Sequence, residues 1–148
     1  MNNSMHLEFL SISENESFAR MAVAGFVSQL DPSLDELDDI KTAVSEAVTN
    51  AIVHGYGKVV GTVHISCVLS GNIATITVSD KGQGIENVPL ARTPLYTNAK
   101  DSSERSGLGF TIMETFMDSV EVLSAPGEGT VVTMWKRIAS AQEAAACV

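Results

Sequence analysis

Long apolar runs are missing from this chain. None approaches the roughly 18 residues a membrane span requires, and no apolar segment follows a basic start at the N-terminus. A cytoplasmic protein without signal peptide or span is the expectation. Cysteine is nearly absent as well. Cys67 lies in an apolar run and Cys147 near the end, with no CxxC pair, which argues against a zinc site or a disulfide framework. Positive charge is scarce: 9 Lys and Arg against 18 Asp and Glu leave a net charge of −9. Neutralising a nucleic-acid backbone needs clustered Lys and Arg, so direct nucleic-acid binding is excluded and partners are expected to be proteins. Two common phosphate-binding signatures are also missing, the GxxxxGK[ST] loop and the strand-to-helix GxGxxG turn.

What remains is ordinary for one globular domain: 148 residues, 45% of them hydrophobic. His6 to Leu10 alternates like a strand. Ser13 and Glu16 have capping-box spacing, opening a helix expected to turn Phe18, Met21, Ala22, Phe26 and Leu30 toward a core. Asp31-Pro32-Ser33 breaks it. Ser33 and Glu36 repeat the box and start a longer helix, ending near His54-Gly55, with Leu37, Ile40, Val44, Val48 and Ala51 as its apolar stripe. The period then changes to two. Val63 to Leu69, a Ser70-Gly71-Asn72 turn and Ile73 to Thr77 make a hairpin running on to Asp80. Glu86 to Ser106 is polar, holds Pro89 and Pro94, and is long for a passive connection, so it is a lid or disordered. A short helix from Leu108 to about Phe116 and a hairpin of Val120–Leu123 with Thr130–Trp135 complete the pattern. The order β-α-α-β-β-lid-α-β-β predicts an α/β two-layer sandwich of helices on a mainly antiparallel, mixed sheet. One domain over 1–137 is expected, followed by a flexible tail, 138–148.

Four short elements carry chemistry. Glu46 and Asn50 stand one helical turn apart, away from the apolar stripe. An Asn oxygen can ligate Mg²⁺ completed by substrate phosphates, and the carboxylate can orient or deprotonate a hydroxyl. Alone, the pair also suits a solvated helix face. Asp80-Lys81-Gly82-Gln83-Gly84 ends a strand. Its Asp can accept from the exocyclic amine of adenine, and its glycines allow close backbone approach, although an ordinary turn has the same look. Ser106-Gly107-Leu108-Gly109 starts a helix, where free amides favour phosphate, with Lys100 and Arg105 nearby. Gly127-Glu128-Gly129-Thr130 is a hairpin turn whose Thr130 hydroxyl is also within reach of a base. Each element is weak alone; their order along one chain is not.

In that order the elements resemble the Bergerat-fold ATPase and kinase superfamily, which includes gyrase, heat-shock chaperones, mismatch-repair ATPases and histidine kinases. Glu46 and Asn50 match its N box, Asp80, Gly82 and Gly84 its first glycine box. Gly107 and Gly109 match the second, and Gly127, Gly129 and Thr130 the last. The resemblance implies ATP binding under a lid, with Mg²⁺ on Asn50, Glu46 as catalytic base and Asp80 on adenine. Gly107, Leu108 and Gly109 would meet the phosphates, with Arg105 near the γ-phosphate. Only His6 precedes the N box, on a strand, and only a short tail follows Trp135. These features disfavour the histidine kinases and the relatives with transducer domains. The chain is most similar to stand-alone serine-protein kinases that also sequester a sporulation sigma factor and phosphorylate its anti-anti-sigma antagonist, releasing ADP. A homodimer is implied, and Arg20 is either an anchor for the sigma factor or a surface pair with Glu16. A nucleotide-gated regulator without kinase activity and a histidine-kinase-like catalytic domain are the alternatives.

Overall fold

A computed structural model describes residues 1–93 and 108–139. Five strands form one sheet: β1 (Asn2–Leu10), β2 (Thr62–Ser70), β3 (Ile73–Asp80), β4 (Ser119–Ala125) and β5 (Gly129–Arg137). Their spatial order is β1-β2-β3-β5-β4, and all four pairings are antiparallel, so no parallel pair occurs among the described residues. Helices α1 (Glu14–Val27), α2 (Leu34–Thr49) and α4 (Gly109–Phe116) cover one face, and α3 (Val88–Ala91) is a single turn beside β4. The period-two pattern explains the layering. Val63, Ile65, Cys67 and Leu69 of β2 are buried under the helices, as are Ala74, Ile76 and Val78 of β3. The intervening residues lie on the open face.

The second capping box forms as expected. Ser33 Oγ accepts from the Glu36 amide at 3.1 Å, and Glu36 Oε1 accepts from the Ser33 amide at 3.0 Å. Ile40, Val44 and Val48 of α2 are fully buried, each burial contributing about 1.5–3 kcal/mol. Asp31 in the left-handed region, φ 54°, ends the helical run before Pro32.

The first capping box does not form. Ser13 is itself helical, at φ −61° and ψ −29°, and makes no side-chain cap, while Glu16 turns to Arg20. A cap residue must leave helical backbone for its hydroxyl to reach the first-turn amides. The inward face of α1 also differs from expectation: Ala19, Val23, Ala24 and Val27 are buried, whereas Phe18 and Met21 are more than half exposed. Small residues at that contact let α1 lie close against α2. The segment from Glu86, expected to be a lid or disordered, begins with α3, capped by Asn87 Oδ1 accepting from the Leu90 amide at 3.0 Å. Arg92 then pairs with Glu114 of α4 and donates to the Val120 carbonyl at 3.0 Å. The packed chain also runs past the expected boundary at 137. Ile138 is fully buried and its amide donates to the Asn72 carbonyl at 2.7 Å, while the Ala139 amide donates to Glu36 Oε2 at 2.7 Å.

Candidate nucleotide site

Glu46 in the last turn of α2 and Asn50 just past its end stand on successive turns, both half-buried, beside the buried Ala43 and Ala47. At Asn50 the winding widens into a π-helical segment, Asn50–Tyr56, that continues the helix to the end of β3. Such wide turns recur at functional sites because they re-aim side chains locally. Sequence periodicity predicts the helical run but not this change of winding, which adds no distinct residue type.

At the end of β3, Asp80 is only 4% exposed. The Gly82 amide donates to its Oδ1 at 2.9 Å, and the Thr130 amide also steadies the carboxylate. Burial pushes the carboxyl above its ordinary range, and these two amides offset only part of that. A carboxylate has about four lone-pair sites, so acceptor capacity remains for an incoming N–H.

Glycines let three chain segments meet around this group. A Cβ on Gly55 would lie 2.8 Å from the Asp80 carboxyl carbon; one on Gly82 would lie 2.0 Å from the Gly55 carbonyl oxygen. At Gly84, φ 78°, it would lie 2.0 Å from the Ala125 carbonyl oxygen. Close packing of protein on protein therefore already explains Gly82 and Gly84, apart from any approach to a ligand. Gly55 is an addition to the expected set; its signal in the sequence was the His54-Gly55-Tyr56-Gly57 run at the helix end. Amide links close the cage: Gln83 N–H to the Gly55 carbonyl at 2.8 Å, and Gly127 N–H to the Gln83 carbonyl at 2.7 Å. Gln83 Nε2 donates to the His54 carbonyl at 2.5 Å, so the backbone of His54 helps hold the loop.

Thr130 is buried, and its hydroxyl lies 2.8 Å from Ser124 Oγ. Ser124 Oγ already donates to the Gly129 carbonyl at 2.9 Å and accepts from the Ile85 amide at 2.7 Å. Its one proton is committed, so Thr130 must be the donor in the shared bond, leaving the Thr130 oxygen as an acceptor. Ser124 was not anticipated; a serine inside a strand gives no sequence cue.

Leu108 precedes α4 without a side-chain cap, so the first-turn amides from Gly109 onward have none from it. Arg105, Gly107 and Lys100 lie outside the described residues. A cleft of about 620 Å³, lined by Tyr56, Lys58, Val60, Lys81 and Gln83 among others, adjoins the cage. Glu46, Asn50, Asp80 and Thr130 are not in its wall, which makes it a neighbour of the expected site. Arg20 bridges α1 and α2: its Nη1 lies 3.4 Å from Glu16 Oε1 and 3.3 Å from Ser45 Oγ. No helix among the described residues is long and apolar enough to cross a membrane.

The family model described as the histidine kinase-like ATPase domain matches residues 13–136, and the chain belongs to that family. Within it, curated relatives named anti-sigma F factor match over nearly the whole length of both chains. That of Anoxybacillus flavithermus is 57% identical over 139 residues, covering 93% of this chain and 94% of its own. That of Clostridium kluyveri is 58% identical over 134 residues, covering 90% and 94%. Among solved structures, the RsbU and RsbW domains of a Mycobacterium tuberculosis protein superpose with a TM-score of 0.67 at 20% identity. They cover 92% of this chain and 32% of that one, a likeness of fold. A histidine kinase domain from Erythrobacter litoralis gives a TM-score of 0.56 at 20% identity, covering 86% and 67%.

Proposed function

We propose that this chain is a cytoplasmic anti-sigma factor that binds a sporulation sigma factor and is also an ATP-dependent serine-protein kinase acting on the anti-anti-sigma antagonist. The observation that carries the reading is the shared name of relatives more than half identical over nine-tenths of the chain. The site residues fit an adenine nucleotide. A buried carboxylate with spare acceptor sites stands at a strand end, a hydroxyl oxygen lies beside it, and a carboxylate and an amide follow each other one turn apart where α2 passes into the π-helical segment.

In this reading Asp80 and Thr130 accept from the adenine amine, and Asn50 holds Mg²⁺. The backbone around Gly107, Leu108 and Gly109 receives the phosphates, and Arg105 balances the charge of the terminal one. Bound Mg²⁺-ATP supplies the phosphoryl group. The chain's own share is positioning and electrostatic stabilisation, with Glu46 orienting the partner's serine hydroxyl and taking its proton. The segment from Glu86 to Ser106 is the expected lid, and the γ-phosphate biases which partner is held. Arg20 contacts the sigma factor. A homodimer is assigned to β1 and α1, where Leu10, Ile12, Phe18 and Met21 are exposed.

The test is transfer of labelled phosphate from Mg²⁺-ATP to the purified antagonist, followed by phosphoamino-acid analysis. Phosphoserine on the partner is expected. Glu46→Gln should lower turnover about 10²–10⁴-fold with nucleotide affinity nearly unchanged, whereas Asn50→Asp should weaken Mg²⁺-nucleotide binding itself. Full turnover in Glu46→Gln eliminates the base role. Phosphohistidine on the chain itself replaces the reading with a histidine kinase.

A further inference from the structure

The open face of the sheet carries a cluster that the nucleotide site does not use. His6 and Glu8 alternate on β1, and His64 stands directly opposite Glu8 in the antiparallel register with β2. Strand alternation sends all three side chains to the same side, away from the helices. His64 is also opposite Ser79, so it points to the face opposite the one that holds Asp80. Glu8 Oε1 lies 3.5 Å from His6 Nε2 and 3.4 Å from His64 Nδ1, and the three ligand atoms all fall within 4.8 Å of one another.

The two distances from Glu8 are close to those between ligands of one metal ion, and a rotation of exposed His6 would bring the third into range. Ligands at roughly 2.0–2.1 Å from a tetrahedral zinc ion stand about 3.3 Å apart, and two imidazoles with one carboxylate are an established zinc donor set. The geometry points to a site for Zn²⁺, held by His6 Nε2, His64 Nδ1 and Glu8 Oε1, with a fourth position open to water. The two cysteines give no sign of a zinc site, and histidine and glutamate brought together across two strands supply one instead. Two imidazole nitrogens favour zinc over Mg²⁺, which prefers oxygen donors in octahedral geometry. The site is thereby chemically separate from one that takes Mg²⁺-nucleotide. Its structural effect is to clip the edge strand β1 to β2 by a bond that spans the ladder.

The experiment is a competition titration of the full chain, stripped with chelator, against a chromophoric zinc chelator in excess Mg²⁺. One equivalent of Zn²⁺ is expected to bind, and to raise the thermal midpoint. His6→Gln and His64→Gln should each weaken zinc at least about tenfold and abolish the thermal shift. Both substitutions are on the solvent side, so their melting without metal should match the parent. Cys147→Ser should bind zinc unchanged. Unaltered zinc affinity in both histidine variants, or loss of zinc in Cys147→Ser with retention in His64→Gln, overturns the proposal.

Discussion

Asp80 combines deep burial with two amide donors, and its two protonation states are therefore unequal in the fold. Because burial raises its pKa, the folded chain holds the proton more tightly than the unfolded chain does. The resulting contribution to stability is complete below the ordinary carboxylate value, about 3.9, and is lost as pH rises through the raised folded value. Asp80→Asn cannot ionise, so its urea midpoint should lack this decline. Relative to the variant, the parent loses stability as pH climbs from below that ordinary value toward neutrality. The same variant should bind adenine nucleotide about ten to a hundred times more weakly, the range expected for losing a hydrogen bond to a charged acceptor. Equilibrium titration with a fluorescent nucleotide measures it. Cys67, by contrast, is pushed up to about 12 by burial under the helices and stays an unreactive thiol.

Helix α1 has two apolar faces; among the described residues one is buried, while the other keeps Phe18 and Met21 more than half exposed. Val23 is fully buried against the core, while Met21 is 56% exposed. Val23→Ala should cost about 2 kcal/mol, the lost methyls plus an unfilled space. Met21→Glu should change stability by no more than about 0.5 kcal/mol but weaken self-association, read by sedimentation equilibrium beside chemical denaturation. This doubly apolar surface is also where sequence patterning was least informative. Phe18, Met21, Ala22, Phe26 and Leu30 have helical spacing, but so do Ala19, Val23 and Val27; Leu30 is buried and Phe26 packs on the core as expected, whereas size misplaced Phe18 and Met21. The strands were easier, since in β2 and β3 strict alternation leaves only one inward face. For the proposed site, residue type and chain order singled out Glu46, Asn50, Asp80 and Thr130 as candidates, and the fold sets Asp80 directly opposite Thr130 on paired strands. Ser124 gave no cue, and Gly55 only its place in the glycine run at the helix end, because their roles arise from contacts with distant segments. The His6–Glu8–His64 cluster stayed hidden for the same reason, since the register of β1 on β2 cannot be read from either strand.

Across the whole molecule, the sheet and the helical layer are closed by a residue beyond the last strand. Ile138 packs fully into the core while its amide holds the β2–β3 turn at Asn72. Ile138→Ala should destabilise by about 2–5 kcal/mol, lowering the thermal midpoint by at least about 4 °C, observable by circular dichroism. The glycine cage has a different reach. Gly55, Gly82, Gly84 and Gly129 belong to segments far apart in sequence, and each approaches the backbone or carboxyl group of another. None of these contacts exists until the chain has closed long loops, an entropic cost that local structure does not repay. The cage is therefore a late product of folding, and neither hairpin alone can form it. With the proposed nucleotide site built on this cage, adenine nucleotide affinity would report the integrity of the entire topology. In a folding experiment, recovery of nucleotide binding should trail recovery of helical signal.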